Sequence, residues 1–331
     1  MPRIGYHCSH EQFAPGHLLR LVRRAEQAGF QSAMCSDHFH PWGEKQGESG
    51  FAWSWLGAAL QATSLSFGVV TVPGGWRYNP AIVAQAAATL VEMFPGRFWI
   101  ALGSGQLLNE HITGDAWIPK KERQARLLEC VEIIRKLWAG ETVTHHDRVR
   151  VSHAKLYTRP KESPAMIGAA VSAQTAEWVG SWADGLITVA KPHEELSKVV
   201  EAFHRGGGRG KPMFLQAQIS YADTDRAAKQ AAFDQWRPNV LPPTVLTEIS
   251  DPTGFDRAAA SLKPDDLDGN IRMSSDLEQH IAWLNQDIAL GFDVVFIHQV
   301  GRDQQKFLHV FGEQVLPRIR QQRTARTPFQ V

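Results

Sequence analysis

The chain has 331 residues, of which 43% are hydrophobic and 21% are charged, and its formal net charge is +1 at pH 7. This near-neutral balance gives no general electrostatic reason to bind nucleic acid or an anionic membrane. No apolar run approaches the roughly 20 residues that a membrane helix requires, and the first residues lack the apolar segment of a secretory signal. We therefore expect a soluble, cytoplasmic protein.

Short apolar runs alternate with longer amphipathic runs along the chain. Strands are predicted at residues 4–7, 32–36, 66–72, 98–103, 165–171, 185–189, 214–219 and 294–299. Helices are predicted at residues 17–28, 80–93, 121–139, 173–183, 194–204, 227–236, 277–290 and 304–321. Eight strands separated by helices predict an α/β fold, the (β/α)8 TIM barrel.

Two stretches interrupt this alternation. Residues 141–163 are polar and rich in histidine, and residues 237–275 contain repeated prolines without a clear period. Such stretches are typical of insertions between regular elements. We therefore predict one barrel domain over residues 1–331 with two insertions.

The motif SDHFHPW at residues 36–42 places polar and aromatic side chains where the second strand ends. In a parallel barrel this end lies on the face that carries the chemistry. On a strand, His38 and His40 would lie on one side, as in the metal sites of barrel hydrolases. Because the later strand ends offer no further ligands, we expect no metal, and we predict proton transfer by His38 beside Asp37. Trp42 is an aromatic candidate for the same site.

Two segments after later strands could receive a ligand. The motif GSGQLLNE at residues 103–110 has small residues that permit close approach to the backbone. It lacks the third glycine and the early position of a dinucleotide fingerprint, so a Rossmann NAD site is not predicted. The motif GAAVS at residues 168–172 precedes a predicted helix whose N-terminus could bind phosphate, although tight packing alone would explain it equally well.

Several long motifs resemble, in order, those of the luciferase-like flavin and deazaflavin oxidoreductases, especially the branch of F420-dependent glucose-6-phosphate dehydrogenases. They are GYHCSHEQFAP at 5–15, SDHFHPW at 36–42, RYNPAIVAQAAATL at 77–90, GSGQLLNE at 103–110 and DQQKFLHVF at 303–311. The resemblance implies a (β/α)8 barrel with the cofactor ring at the carboxyl ends of the strands, and a homodimer.

The resemblance also implies roles for individual residues. Those implied at the reacting centre are His38, Trp42 and Gln106, and those implied at the cofactor are Asp37, Val70, Thr71, Asn109, Val171 and Ser172. The cations implied at a substrate anion are Lys191, Arg257 and Arg272. A non-proline cis peptide bond is implied on one side of Val70.

Two departures from this branch affect the prediction. Gln106 stands where the sugar-phosphate dehydrogenases have a glutamate, and an amide cannot supply a proton. Val171 and Ser172 replace a glycine pair, which keeps FMN open beside F420. We predict hydride transfer between such a cofactor and a small, possibly anionic substrate. The alternatives are an FMN-dependent monooxygenase, a metal-dependent barrel hydrolase and a binding protein without catalysis.

Overall fold

Eight parallel strands close into a barrel in the computed structural model, which describes residues 2–74 and 76–320. The barrel strands are β1 (Arg3–Cys8), β2 (Ser32–Ser36), β3 (Ser66–Thr71), β4 (Phe98–Leu102), β7 (Met166–Ala169), β8 (Gly185–Val189), β9 (Met213–Tyr221) and β11 (Val294–Gln299). Strand β9 pairs with both β8 and β11, and β11 pairs with β1, which completes the circle. The predicted (β/α)8 barrel is confirmed.

Helices separate the barrel strands and cover their outer surface. They are α1 (Pro15–Ala28), α2 (Ala52–Ala62), α3 (Pro80–Met93), α4 (Leu107–Glu110), α5 (Lys120–Ala139), α6 (Ala173–Gly180), α7 (His193–Phe203), α8 (Asp225–Trp236), α9 (Pro243–Leu246), α10 (Pro252–Ala258), α11 (Leu277–Ala289), α12 (Gln304–Val310) and α13 (Leu316–Arg320). The end of the predicted helix at 304–321 lies outside the described residues. Within the described ranges, no helix combines the length and apolarity needed to cross a bilayer.

The two irregular stretches carry short elements of their own. The first contains β5 (Val143–His146) and β6 (Arg150–Ala154), which pair as an antiparallel hairpin. The second contains α9, α10 and β10 (Arg272–Ser274), and β10 pairs with β9. Phe255 and Leu267 from this stretch pack in an apolar cluster with Trp42 and Trp236. The second stretch therefore lies against a residue predicted for the active site.

Aromatic side chains fill the barrel interior on the side toward the amino ends of the strands. Trp99, Phe214 and Phe296 form this aromatic layer, with ring centroids of Trp99 and Phe214 4.8 Å apart and those of Trp99 and Phe296 5.6 Å apart. Side chains on a strand repeat every two residues on one face. Gln216 and His298 therefore follow Phe214 and Phe296 toward the carboxyl ends of the strands. The side chains that face the barrel interior therefore change from apolar to polar within two residues along these strands.

The aromatic layer requires glycine on a neighbouring strand, which gives a first test. A Cβ atom at Gly68 would lie 1.9 Å from the Trp99 ring, whereas one at Gly57 in α2 would meet nothing within 4 Å. We expect Gly68→Ala to lower the free energy of unfolding by about 1–3 kcal/mol. Gly57→Ala is the control and should raise it by roughly 0.5–1 kcal/mol. Urea denaturation measures both, and equal stabilities would contradict this packing.

Candidate active site

A cavity of about 770 Å³ opens at the carboxyl ends of the barrel strands. Nine predicted residues line it together: Asp37, His38, Trp42, Val70, Thr71, Gln106, Asn109, Val171 and Ser172. They come from the loops and strand ends that follow β2, β3, β4 and β7, which parallel pairing brings to one edge. The structure thus brings together the residues predicted for the reacting centre and for the cofactor.

A buried ion cluster of Arg77, Asp37 and Glu110 lies at the cavity wall. Arg77 Nε lies 3.2 Å from Glu110 Oε1, Nη2 donates to the Asp37 backbone oxygen at 2.9 Å, and Nη1 lies 3.6 Å from Asp37 Oδ1. Burial raises the pKa of Glu110, and Arg77 opposes this shift. Sequence reasoning did not single out Arg77 or Glu110, because their pairing joins segments more than thirty residues apart.

Further hydrogen bonds hold the Asp37 carboxylate. It accepts from Thr71 Oγ1 at 2.8 Å and from Tyr78 Oη at 3.1 Å. Both carboxylate oxygens therefore already have protein partners. Asp37 lines the cavity, but these bonds mainly fix the loop that follows β2.

His38 and Glu11 form the titratable pair of the cavity. His38 Nδ1 lies 3.3 Å from Glu11 Oε1, which is ion-pair range without hydrogen-bond geometry. Burial, with Arg77 and His10 nearby, lowers the pKa of His38 to about 3, so its imidazole is neutral near pH 7. Burial raises the pKa of Glu11 to about 7, and its side chain is only 2% exposed. A carboxyl group that titrates near neutrality thus faces a neutral imidazole.

Glu11 was missed as a site residue by the sequence analysis. It lies three residues beyond the end of β1, on the same face of the barrel as His38. The available signal was its position after a strand end within GYHCSHEQFAP.

The expectation that His38 and His40 share one side of a strand is wrong. Strand β2 ends at Ser36, so both histidines lie in the following loop. His40 Nδ1 lies 2.9 Å from the Leu108 backbone oxygen, and its ring stacks on His111. The two imidazoles therefore have different surroundings.

Asn109 connects this loop to α4. Its Oδ1 accepts from the backbone N–H of Phe39 at 2.8 Å and from that of His40 at 3.3 Å. Together with the ion cluster, this amide fixes the backbone on both sides of His38.

Trp42 forms an apolar wall beside the titratable pair. Its ring centroid lies 5.3 Å from that of His38 and 5.3 Å from that of Phe255, and the residue is 7% exposed. Large buried rings at this point exclude water from one side of His38, which strengthens local electrostatic interactions.

The predicted cis peptide bond beside Val70 is not found. All peptide bonds in the described ranges are trans. Val70 pairs in register with Ser36 on one side and Ala101 on the other, and its backbone oxygen accepts from the Asp37 N–H at 2.9 Å. A regular ladder on both sides accounts for the ordinary geometry of β3 here.

The three predicted anion-binding cations do not line the main cavity among the described residues. Lys191 and Arg272 border a second cavity of about 250 Å³. Arg272 is paired with the buried Asp287 at 2.5 and 2.8 Å, and Lys191 lies 4.0 Å from Glu195. Arg257 is exposed on α10. Arg272 is therefore already neutralised by a carboxylate of the protein.

Groups suited to an extended polar ligand lie in the part of the cavity that is formed by the segments after β4 and β7. Lys120 Nζ donates to Thr175 Oγ1 at 3.0 Å, and Ser172 Oγ caps α6 by accepting from the Thr175 N–H. Gly105 has a φ of 95°, and a Cβ atom there would lie 3.1 Å from Trp117. Buried Trp117 Nε1 and Thr188 Oγ1 have no hydrogen-bond partner in the described structure. Both residues line the cavity, so a bound polar cofactor is a suitable partner for these groups.

These features define the class of the protein: a (β/α)8 barrel with a large cavity and a buried titratable pair at the carboxyl ends of its strands. The model of the luciferase-like monooxygenase family matches residues 1–293. The chain belongs to this family.

Two relatives that match nearly the full length of the chain are named for the cofactor F420. The chain is 35% identical to an F420-dependent glucose-6-phosphate dehydrogenase of Nakamurella multipartita, covering 96% of each chain. It is 34% identical to the Mycobacterium tuberculosis enzyme of that name, covering 96% of this chain and 98% of the relative. The chain is therefore a luciferase-like oxidoreductase, and both of these relatives are named for F420.

Solved structures agree with the fold. An F420-dependent secondary alcohol dehydrogenase in complex with an F420–acetone adduct superposes with a TM-score of 0.88 at 29% identity, covering 96% of this chain and 99% of the other. An FMN complex of the oxygenating constituent of 3,6-diketocamphane monooxygenase from Pseudomonas putida superposes with a TM-score of 0.72, at 15% identity and over 96% and 99% of the two chains. The latter likeness concerns the fold alone.

The ion cluster gives a second test. Arg77→Met leaves Asp37 and Glu110 buried without their cation, so we expect a loss of about 3–5 kcal/mol in the free energy of unfolding at pH 7. The loss should shrink as the pH falls, because burial raises the pKa of Glu110 and its protonation removes a buried negative charge. The control is Lys136→Met, which breaks an exposed ion pair with Glu132 and should leave stability unchanged. Denaturation at several pH values measures both, and a pH-independent loss would contradict the role of charge.

Proposed function

We propose that the protein transfers hydride between F420 and a small uncharged secondary alcohol or its ketone. The observation that carries this proposal is the neutral His38 beside Glu11 and Trp42, in a cavity that the predicted anion-binding cations do not line. The names of the relatives at 34–35% identity support F420 as the cofactor. The secondary alcohol dehydrogenase structure supports the substrate class.

His38 is the group that exchanges the proton of the substrate oxygen. Its depressed pKa leaves a free ring nitrogen near neutral pH, which can accept a hydroxyl proton. The adjacent Glu11 carboxylate stabilises the imidazolium that results and can take up the proton. In the reverse direction, protonated Glu11 returns the proton to a ketone oxygen through His38.

Trp42 and Gln106 act on the position of the substrate. Trp42 presents an apolar ring beside His38 and keeps water from the proton-transfer pair. The Gln106 amide can donate or accept a hydrogen bond, but it cannot supply a proton. It therefore orients the substrate while Glu11 and His38 move the proton.

The cofactor would be held by cavity residues from β3 and from the segments that follow β4 and β7. Val70, Thr71 and Asn109 are assigned to the ring, with Asp37 fixing the loop beside them. Lys120, Val171 and Ser172 are assigned to the anionic tail, because the lysine and the first turn of α6 favour negative charge. When bound, F420 supplies the ring carbon that accepts or releases the hydride.

Oxidation of glucose-6-phosphate is less well supported for this chain. Gln106 replaces the glutamate of the resembled branch, and Arg272 is bound to Asp287. A phosphate in the main cavity would thus meet neither the three predicted cations nor a carboxyl group at position 106.

We also propose a cytoplasmic homodimer. The three cysteines, Cys8, Cys35 and Cys130, are free and buried, which suits a reducing compartment. Exposed apolar side chains such as Phe51 and Ile82 could pack against a second copy. Light scattering on the purified protein at several concentrations would measure its mass.

Cofactor choice is tested by titrating the protein with F420 and with FMN in parallel. We expect saturable absorbance changes and tighter binding for F420, followed by anaerobic reduction of F420 when a secondary alcohol such as cyclohexanol is added. Lys120→Met should weaken F420 binding, because it removes the cation near the tail. The exposed Lys155→Met is the control. Tighter binding of FMN with oxygen-dependent turnover would instead favour the monooxygenase.

The pH dependence tests the proton-transfer pair. Alcohol oxidation requires ionised Glu11, so its rate should rise as the pH increases through about 7, and ketone reduction should fall over the same range. Glu11→Gln should abolish this transition and reduce turnover, and His38→Ala should reduce turnover by roughly 100-fold or more. Glu141→Gln, at an exposed position, serves as the control. An unchanged pH profile in Glu11→Gln would remove Glu11 from the mechanism.

A further inference from the structure

His7 is a buried polar residue that the mechanism does not use. It belongs to β1, is 3% exposed and lines the main cavity. Within the described residues, neither of its ring nitrogens has a hydrogen-bond partner. Buried polar atoms are nearly always paired, so a ring with two unpaired nitrogens at a cavity wall is suited to a hydrogen bond with a bound molecule.

The neighbours of His7 form a polar floor, defined by His7, Gln216 and His298. The rings of His7 and His298 lie 4.2 Å apart. His298 Nε2 lies 3.1 Å from Gln12 Oε1, and its Nδ1 lies 3.5 Å from Gln216 Nε2. Protein groups thus surround the nitrogens of His298, whereas those of His7 have no protein partner and the residue lines the cavity.

This floor is uncharged near neutral pH. Burial lowers the pKa of His7 well below its usual value, with His298, His10 and His38 adding to the shift, and it lowers the pKa of His298 to about 3. Two charged residues of the cavity, Glu11 and Asp37, lie in the loops after β1 and β2. They do not lie within the strands that carry the polar floor. An anionic ligand group at the floor would be buried without a counter-charge, which is unfavourable.

We propose that His7 is a specificity-determining residue that hydrogen-bonds a second oxygen of the substrate, so that the preferred substrate is an uncharged diol or hydroxy ketone. This inference rests on the proposed function. A neutral imidazole offers one donor and one acceptor, and a hydroxyl group has both complements. His38 and Trp42 lie in the loop beyond β2, whereas His7 lies inside the barrel wall, so the two oxygens would be bound at different depths.

The reaction leaves the second oxygen unchanged. In the oxidative direction, the carbinol carbon loses a hydride to the oxidised cofactor, and its hydroxyl loses a proton to His38 and Glu11. The products are a hydroxy ketone and the reduced cofactor. The hydroxyl bound by His7 keeps its proton and serves only recognition.

Matched substrates test this assignment. kcat and KM for cyclohexanol, cyclohexane-1,2-diol and cyclohexane-1,3-diol are measured with F420 in the native protein and in the His7→Phe and His7→Gln variants. We expect kcat/KM in the native protein to favour at least one diol over cyclohexanol by about 10-fold or more, because an unpaired site rejects a ligand that lacks the hydroxyl. His7→Phe should remove this preference mainly through KM, and His7→Gln should keep part of it.

The control is His280→Phe, since His280 is equally buried but does not line the cavity. It should keep the diol preference, and F420 affinity should be unchanged in all variants. The proposal is overturned if the native protein shows no diol preference, if His7→Phe keeps it in full, or if His7→Phe loses F420 affinity instead. Should His7→Phe fail to fold by circular dichroism, the His7→Gln comparison decides in the same way.

A binding measurement separates this inference from the proposed function. Calorimetric titration of the F420 complex with each diol and with cyclohexanol should show tighter binding of a diol that depends on His7. Absence of turnover with all three compounds would refute the proposed function, while the titration would still test His7. Turnover of cyclohexanol with equal binding of all three compounds would overturn the role of His7 alone.

Discussion

The geometry of the active site depends on the buried pairing of Arg77 with Asp37 and Glu110. This ion cluster joins the loop after β2, the segment before α3 and the short helix α4. Its cost of desolvation is offset by several hydrogen bonds, including those that Asp37 accepts from Thr71 and Tyr78. Because His38 directly follows Asp37, fixing this residue also fixes the backbone that carries the imidazole.

The barrel divides its interior into two zones of different chemistry. The aromatic layer is apolar and closely packed, and the absence of a side chain at Gly68 leaves room for the Trp99 ring. One step further along the strands, the polar floor and the cavity replace it. This division places poorly solvated groups at the proposed site of proton exchange, where burial lowers the pKa of His38 and raises that of Glu11. Such a pair can take up one proton near neutral pH, and this proton neutralises the buried Glu11 carboxylate.

Much of the fold was predictable because buried parallel strands give short apolar runs that stand out from amphipathic helices. Helix α2 was missed, since Phe51 supplies no capping side chain and the helix is apolar on much of its surface. The loop carrying His38 and Trp42 was predictable from its place after a strand. The partners of Arg77, the approach of Glu11 to His38 and the pairing of Arg272 with Asp287 were not, because each joins distant segments or loops whose course the sequence pattern does not determine.

The central claim is that the protein moves a hydride from a carbinol carbon while His38 and Glu11 take the proton. The most direct measurement uses cyclohexanol with deuterium at the carbinol carbon, mixed anaerobically with the F420-loaded protein, followed by mass spectrometry of the cofactor. The account predicts that deuterium appears in the reduced F420 and that its formation is slower than with unlabelled alcohol. Reduced cofactor without deuterium, or no reduction until oxygen is admitted, would contradict it.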